Sequence, residues 1–234
     1  MTIGIPSYQR CGRVKTLKML DGAFSKNDVI LATQTKEEYE QYSALYGSVA
    51  TIIYGEAHNC SESRNNILEY VVKKGIGEIL FLDDDISNVR TMYDKHLKGG
   101  EFRKLMEECF ELCRKNGIVM FGSYATSNRF MMSKTASRNI IDGMLCGLLD
   151  TSIRYDAGFM TKGDYELSLR LMTQGKKVVR FNSFAPQADA RSKGGCEEIR
   201  SRGGQERMAD LLVEAYPTLV KYHPTRKGEI KFIG

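Results

Sequence analysis

Short apolar segments alternate with amphipathic segments along the first half of the chain. Four apolar runs predict β-strands, at residues 2–5, 29–32, 50–54 and 78–82. Two segments with apolar residues at helical spacing, at residues 12–20 and 61–74, and a polar segment at 36–46 predict α-helices between these strands. This alternation is typical of βα units that build a largely parallel sheet.

The second half of the chain has a less regular pattern. It predicts helices at 102–115, 164–174 and 206–216, and strands at 118–124 and 178–181. Between them lie a polar stretch at 127–144 and a glycine-rich, basic segment at 191–204, which we predict to be a mobile loop. Because no internal repeat or linker divides the chain, we expect a single α/β domain over residues 1–234, with a mostly parallel central sheet flanked by helices.

Three consecutive carboxylates, Asp83, Asp84 and Asp85, directly follow the apolar run at 78–82. Like charges raise each other's pKa, so we expect a cation to neutralise them. Oxygen ligands at alternate positions suit Mg²⁺ or Mn²⁺, which usually take their remaining ligands from water and a substrate's phosphates. The run therefore predicts a phosphate-handling site. The alternative is a solvated turn in which Asp83 caps a following helix.

Other polar side chains are expected near this acidic run. Ligands of open α/β sheets bind beyond the carboxyl ends of the strands. The loop at Pro6 and the loop at 58–64 also follow predicted strands, so both are expected to converge on the acidic run. Arg64 would lie in the first turn of a helix whose free amides add to the attraction for anions. The alternative for Arg64 is a surface salt bridge.

Composition and charge narrow the class of protein. With 234 residues, 42% of them hydrophobic and 27% charged, the chain resembles an ordinary soluble protein with a sizeable core. It has no apolar run of the roughly 20 residues that a membrane span needs and no N-terminal signal pattern, so we expect a cytoplasmic protein without membrane association.

The net charge of +5 is unevenly distributed. From Arg170 onward, 13 Lys and Arg residues face 7 Asp and Glu residues, whereas the preceding part has 21 against 22. This asymmetry indicates a polyanionic partner or a phosphate-bearing ligand, or else a solvated basic face.

Three segments, taken in order, resemble GT-A-type glycosyltransferases, which use nucleotide-sugar donors. They are IPSYQR, SESRNNILEYVVKKGIGEILFLDDDI and YDAGFMTKGDYELSLRLMTQGKKVVRF. The resemblance spans residues 2–182 and implies a single Rossmann-like GT-A domain. It further implies a nucleotide-sugar-binding half at 1–90, an acceptor half at 91–190, and a basic C-terminal lid and helix at 191–234.

The same resemblance implies roles for the acidic run and for one histidine. Asp83 and Asp85 would form the metal-binding DxD pair, with Asp85 the more direct ligand, and Asp84 would face the donor ribose or sugar. Many members of the family supply a late histidine to the metal, which implies His223. The alternative for any of the three histidines, including His58 and His96, is a surface residue.

The donor nucleotide would be held by two further groups of residues. Pro6, Ser7 and Arg10 match the family's loop over the base and ribose, although Ser7 could instead be a turn hydroxyl. Arg64 could reach a phosphate or uracil. The diphosphate could be clamped by basic residues of a flexible lid, which are Arg191, Lys193, Arg200 and Arg202.

Asp164 matches the family's acidic base at the start of the helix that faces the acceptor. An inverting sugar transfer needs a base to accept the proton of the acceptor hydroxyl, and a carboxylate can serve. The family often has Glu-Asp where this chain has Gly163-Asp164. The alternative is an aspartate that complements the dipole of its helix.

The tail at 194–232 is similar to the C-terminal part of the TET-associated glycosyltransferases of bacteriophages. That similarity implies a UDP-sugar donor and 5-hydroxymethylcytosine in DNA as the acceptor, with the protein acting in the host cytoplasm. A DNA acceptor would account for the basic residues, and Arg129, Phe130 and Arg138 could contact a flipped base and its phosphates. The alternatives are a polysaccharide or protein acceptor, and a nucleic-acid-binding module without turnover.

Overall fold

The structure is a computed structural model that describes residues 1–20, 22–188 and 203–234. The described helices are α1 (Lys15–Leu20), α2 (Lys36–Tyr46), α3 (Cys60–Lys73), α4 (Gly99–Asn116), α5 (Gly163–Thr173) and α6 (Gly204–Ala215). The described strands are β1 (Ile3–Pro6), β2 (Val29–Thr33), β3 (Thr51–Tyr54), β4 (Ile79–Leu82), β5 (Ile86–Thr91), β6 (His96–Leu97), β7 (Ile118–Ser123), β8 (Ala136–Ser137), β9 (Leu145–Leu148), β10 (Lys177–Phe181), β11 (Phe184–Ala188), β12 (Val220–Tyr222) and β13 (Ile230–Phe232).

An eight-stranded sheet forms the centre of the protein, in the order β3-β2-β1-β4-β9-β7-β10-β8. Strands β3, β2, β1 and β4 pair in parallel, as do β7 and β10, whereas β9 runs antiparallel between β4 and β7. The short β8 is antiparallel at the edge. The predicted α/β class with a mostly parallel central sheet flanked by helices is therefore confirmed.

The central strands bury both of their faces, which explains why they are continuous apolar runs. In β4, Leu80 and Leu82 pack into a core shared with α1 and α4, whereas Ile79 and Phe81 pack into a core shared with α3 and α5. Successive side chains of a strand point to opposite faces, so one run of four residues supplies both cores.

Three local predictions near the acidic run are wrong. A strand, β5, follows the run and pairs with β11 and β6 in a second sheet, so Asp83 does not cap a following helix. Helix α3 does not begin with Ser61 as its cap, as the serine at the start of the predicted helix would suggest; it is capped by the side chain of Asn59, which accepts a hydrogen bond from the Glu62 backbone. Helix α1 begins at Lys15 and not at Gly12, because Gly12 has a φ of +78°.

No described helix combines the length and the apolar character that crossing a membrane requires.

Candidate active site

The acidic turn, residues 83–85, lies at the carboxyl end of β4. Because β1 and β4 are parallel neighbours, the loop after β1 ends beside this turn. Ser7 Oγ donates a hydrogen bond of 2.6 Å to Asp84 Oδ2. Arg10 Nη1 lies 2.5 Å from Asp84 Oδ1 and 2.8 Å from Asp85 Oδ2. The structure thus brings the predicted Pro6 loop and the acidic turn together.

The backbone of the acidic turn is held by Thr16 in the first turn of α1. Thr16 Oγ1 donates to the carbonyl oxygen of Asp83 at 2.5 Å and lies 3.0 Å from the backbone nitrogen of Ile86, which donates to it. The backbone nitrogen of Thr16 donates to the carbonyl oxygen of Asp84 at 3.2 Å. Sequence reasoning missed Thr16, because a threonine in the first turn of a helix has no feature that marks a tertiary contact.

Tyr42 of α2 supports the β1 loop from the other side. Its hydroxyl lies 3.0 Å from Ser7 Oγ and accepts a hydrogen bond from the backbone nitrogen of Arg10 at 3.0 Å. Burial raises the pKa of Tyr42 to about 12, so the phenol stays neutral and can take part in both contacts. Tyr42 was also missed, since its position in a polar, weakly amphipathic helix did not indicate a buried residue.

Arg64 of α3 is a buried residue and not part of a surface salt bridge, since it is 5% exposed. Its Nη2 lies 3.1 Å from Asp83 Oδ1 and donates to the carbonyl oxygen of Gly143 at 2.9 Å. The guanidinium carbon lies 5.4 Å from the ring centre of Tyr155, within range of a cation–π contact. A Cβ atom on Gly143 would come within 2.7 Å of both Nη atoms, so this glycine makes the close approach possible.

Asp164 lies at the start of α5 and is linked to Arg64 through the same glycine. Its Oδ2 accepts a hydrogen bond of 2.5 Å from the backbone nitrogen of Gly143. The backbone of Gly143 therefore bonds Asp164 through its N–H group and Arg64 through its C=O group. Both the predicted base role of Asp164 and its helix-dipole alternative remain compatible with this position.

Asp142 precedes Gly143 and is a further carboxylate that sequence reasoning missed. Its Oδ1 accepts a hydrogen bond from the backbone of Met144 at 3.1 Å. Burial raises the pKa of Asp142, and the neighbouring charge of Asp164 raises it further. Nothing in the apolar and polar pattern of the 127–144 stretch distinguished Asp142 from a solvated residue.

Gly163, the residue before Asp164, packs closely against α3. A Cβ atom at position 163 would lie 2.1 Å from Ser61 Oγ, which itself donates to the carbonyl oxygen of Phe159 at 3.1 Å. A side chain at 163 would therefore require the Ser61 hydroxyl, which bonds the segment before α5, to move.

The acidic turn concentrates negative charge that the neighbouring arginines offset only in part. Burial raises the pKa of Asp83, against the opposing effect of Arg64. Burial likewise raises the pKa of Asp84 to about 7, against the opposing effect of Arg10. Asp84 faces Ser7 and Arg10 inside the protein, which differs from the prediction that it faces the donor ribose or sugar.

Two donors beside the turn lack a hydrogen-bond partner in the described part of the chain. They are the buried Nε atoms of Arg10 and Arg64. Buried donors normally find an acceptor, so these two atoms leave hydrogen-bonding capacity unused beside the acidic turn. Arginine is well suited to hold a phosphate group in this position.

The carboxylates of the acidic turn fit a divalent metal only if substrate oxygens supply further ligands. Within 1–20, 22–188 and 203–234, no three or more His, Cys, Asp or Glu side chains are placed to hold an ion. Mg²⁺ is commonly bound by one or two carboxylates plus phosphate oxygens, and Asp83 and Asp85 supply that number. His223 Nε2 lies 3.0 Å from Nη2 of Arg226. This contact does not test whether His223 binds a metal, and that role stays a prediction.

A cleft of about 920 Å³ opens beside the turn at Arg10 and Asp85 and runs along α1. This volume lies within the usual range of small-molecule sites. Further basic side chains line it, namely Arg13, Lys15, Lys18 and Lys26. The predicted lid residues Arg191, Lys193, Arg200 and Arg202 lie outside the described residues.

The α/β fold, with an acidic turn and buried arginines at the carboxyl edge of its parallel strands, is of the kind that handles phosphate-bearing donors. The family model for TET-associated glycosyltransferases matches residues 1–195. The chain therefore belongs to the TET-associated glycosyltransferase family, and the prediction that it is a glycosyltransferase is confirmed. The match ends where the tail at 194–232 begins, so the family membership rests on the part of the chain that contains the acidic turn and Asp164.

Solved structures of similar shape have low sequence identity to the chain. One, from Desulfovibrio desulfuricans G20, is described as a nucleotide-diphospho-sugar transferase; it is 11% identical, with 77% of this chain and 80% of that chain covered and a TM-score of 0.47. A cytidylyltransferase from Leptospira borgpetersenii is 14% identical, with 95% and 98% covered and a TM-score of 0.47. A comparison with curated proteins gives no match.

Proposed function

We propose that the protein transfers a sugar from a UDP-sugar to the hydroxyl group of 5-hydroxymethylcytosine in DNA. The reaction is metal-dependent and inverting, with Asp164 as the base, and it takes place in the cytoplasm of a bacteriophage-infected host. The observation that carries the proposal is the series of contacts Asp83–Arg64–Gly143–Asp164, which joins a phosphate-handling turn to a carboxylate suited to accept a proton. Family membership supports a nucleotide-sugar donor and a DNA acceptor in general terms.

The donor side is formed by the acidic turn and its arginines. Ser7 and the Pro6 loop would orient the nucleoside, while the positive charges of Arg10 and Arg64 beside the acidic turn would attract the diphosphate. When bound by Asp83 and Asp85, Mn²⁺ or Mg²⁺ supplies positive charge that stabilises the departing UDP. Because these groups are fixed by Thr16 and Tyr42 beforehand, little reorganisation is needed when charge develops on the leaving group.

The acceptor side depends on Asp164. As the hydroxyl oxygen of the acceptor bonds to the anomeric carbon of the sugar, the bond from that carbon to UDP breaks and Asp164 takes the hydroxyl proton. The N–H group of Gly143 fixes one oxygen of Asp164, which leaves the other oxygen free to receive the proton. Attack from the side opposite to UDP would invert the configuration at the anomeric carbon.

The experiment is a nucleoside diphosphate release assay with UDP-glucose and related donors in the presence of Mn²⁺. Parallel reactions contain DNA with 5-hydroxymethylcytosine, the same DNA with cytosine, or no DNA. Release that requires the modified DNA, with a matching mass gain on the base, is the expected result. Nucleoside diphosphate release that does not depend on the modified DNA would point to a polysaccharide or protein acceptor. The absence of release with any donor would point to a binding module without turnover.

Asp85→Asn provides the matching variant. It removes one carboxylate charge from the turn, so we expect turnover to be lost while DNA affinity is kept. Asp150→Asn is a suitable control. Asp150 follows β9, which runs antiparallel to β4, so it lies at the opposite end of the strands from the acidic turn. It accepts hydrogen bonds from Ser152 within its own turn. Turnover by Asp85→Asn equal to that of Asp150→Asn would refute the role of the acidic turn.

A further inference from the structure

Two segments that do not line the cleft at Arg10 and Asp85, called the donor cleft below, form an exposed aromatic surface. We define it by Tyr93, Phe130 and Met131, together with the basic residues Arg129 and Lys134. Phe130 is 84% exposed, Tyr93 64% and Met131 59%, and Phe130 is the most exposed large hydrophobic side chain of the described residues. Single exposed apolar residues are common on proteins, but three in one place with cations indicate an interaction site.

Contacts between the two segments make them one surface. Tyr93 lies in the turn between β5 and β6, and Phe130 lies in the loop after β7. Lys134 Nζ lies 5.9 Å from the ring centre of Tyr93, and Arg129 Nη1 lies 3.6 Å from Asp94 Oδ2. Arg90 Nη1 also lies 3.4 Å from the carbonyl oxygen of Ser127. The two segments that carry the aromatic rings therefore lie side by side.

The charge of this surface favours a polyanion. Arg129 lies beside the Phe130 ring and Lys134 beside the Tyr93 ring, and the same two segments carry Arg90, the exposed Lys95 and the acidic Asp94. Arg90 Nη2 and Arg129 Nη1 both lie near Asp94, so its charge is already offset. The guanidinium carbon of Arg129 lies 4.7 Å from the ring centre of Phe130. Rings bordered by guanidinium and ammonium groups are the means by which proteins bind single-stranded nucleic acid.

The position of the surface relates it to the candidate active site. Strand β5 begins directly after the acidic turn and leads to Tyr93, and its residues Ile86–Thr91 cover about 17 Å at the usual strand rise. The loop that carries Phe130 leaves the sheet after β7 and returns to Asp142 and Gly143. Both segments thus connect the aromatic surface to residues that contact Asp164 or the acidic turn.

We propose that the aromatic surface binds an unstacked segment of the DNA strand next to the acceptor base. Bases stack on Phe130 and Tyr93, and phosphates pair with Arg129 and Lys134. This inference rests on the proposed function for the identity of the acceptor, and it adds where the strand lies. Removal of one stacking ring is expected to weaken DNA binding by about 5- to 150-fold, the range that one base–aromatic stack represents.

The test measures binding of the full chain to a fluorescent single-stranded DNA oligonucleotide containing 5-hydroxymethylcytosine, without donor, by anisotropy. Phe130→Ala is compared with Tyr39→Ala, which removes an exposed ring from α2. We expect weaker binding only for Phe130→Ala. Lys134→Ala is compared with Lys104→Ala on α4, and only the former is expected to lower the slope of log affinity against log salt, by about 1.

Three outcomes would overturn the inference, namely unchanged DNA affinity in Phe130→Ala, an equal loss in Tyr39→Ala, or no DNA binding by the wild-type protein. Tight binding of the wild type to phosphatidylglycerol vesicles that Phe130→Ala abolishes, without any change in DNA affinity, would assign the surface to a membrane instead.

Failure of the proposed function gives a different pattern. DNA binding that depends on Phe130, combined with no sugar transfer from any donor, would refute the transfer reaction and support the surface. UDP binding is measured separately on each variant and is expected to be unchanged in Phe130→Ala, because Phe130 is not among the residues that line the donor cleft.

Discussion

The acidic turn and the aromatic surface are joined by β5 but differ in how their side chains are satisfied. Each carboxylate of the turn has an arginine contact, and the backbone of the turn is bonded to Thr16. The apolar side chains of the aromatic surface, by contrast, are largely in solvent. The charged side chains that would stabilise a leaving group are therefore already held in place by the protein. The apolar side chains of the aromatic surface would lose their contact with solvent only when a partner covers them.

The sharpest test of this difference is Arg64→Met. The change removes the buried guanidinium that contacts Asp83 and Gly143 while keeping an apolar side chain of similar length. We expect turnover to fall by about 10²- to 10³-fold, the range for loss of one fixed donor at a developing charge. DNA affinity should stay within about twofold, because Arg64 is not part of the aromatic surface.

Arg114→Met is the control for that measurement. Arg114 forms an ion pair with Glu78 at 2.7 Å, but the two side chains are 51% and 36% exposed, and exposed pairs contribute little. We expect near wild-type turnover and melting temperature. A loss of turnover in Arg114→Met as large as in Arg64→Met would show that the effect is general destabilisation.

A second variant, Gly143→Ala, tests whether the positions of Arg64 and Asp164, which both bond the backbone of Gly143, matter together for catalysis. Its Cβ would come within 2.7 Å of the Nη atoms of Arg64, so either the guanidinium or the backbone that bonds Asp164 must shift. Misplacement of a reacting group by about 1 Å can cost roughly 10²-fold, and we expect a loss in kcat of between roughly 10- and 100-fold.

Gly77→Ala controls for the general effect of an added methyl group, because a Cβ at that position meets nothing within 4 Å. Its kcat is expected to equal that of the wild type. If kcat in Gly143→Ala also stays unchanged, the link between Arg64 and Asp164 has no catalytic importance.

Sequence patterns predicted the strands of the sheet better than the polar contacts between them. Buried on both faces, β4 is an apolar run that could be recognised without the structure. The strand β5 could not, because its residues ISNVRT are only half buried and lack a regular alternation. Its existence follows from pairing with β11, almost a hundred residues away in the chain, and no local pattern indicates such pairing.

Sequence patterns likewise predicted the residues of the candidate site that stand out locally and missed those that act through tertiary contacts. Asp83 and Asp85 could be found because they directly follow an apolar run, and Arg64 because it lies in the first turn of a helix that follows a predicted strand. Thr16, Tyr42 and Gly143 could not, since each acts through a tertiary contact: a hydroxyl bonded to a distant backbone, a buried phenol and an absent Cβ. Such roles depend on the distance between elements, which composition and spacing do not contain.

The third prediction concerns Gly163 and tests how tightly the start of α5 packs against α3. Gly163→Ala would place a methyl group 2.1 Å from Ser61 Oγ, and overpacking of this kind costs about 1–3 kcal/mol. At roughly 2–4 °C per kcal/mol for a chain of this size, the melting temperature should fall measurably.

Ser61→Ala in the same protein should relieve most of that loss. The double variant is expected to be more stable than the sum of the two single changes predicts, with a coupling free energy of about 0.5–3 kcal/mol. Additive effects would mean that Gly163 and Ser61 do not compete for space, and that the glycine is not a packing requirement.

The smallest expected effect is a pH dependence that involves Asp142. Burial and the charge of Asp164 raise the pKa of Asp142, so the folded state binds its proton more tightly than the unfolded state. A carboxyl group of this kind costs nothing below its unfolded pKa of about 3.9 and lowers stability as the pH rises through its folded pKa. Asp142→Asn removes this loss.

The melting temperature of the wild type relative to Asp142→Asn should therefore decline between about pH 4 and about pH 7, measured by calorimetry in metal-free buffer. Because the charge of Asp164 is one cause of the raised pKa of Asp142, the slope should also shrink in Asp164→Asn. A difference in melting temperature that is constant with pH would mean that Asp142 is ionised at no cost, and that the neighbourhood of Asp164 is better solvated than the buried acidic turn.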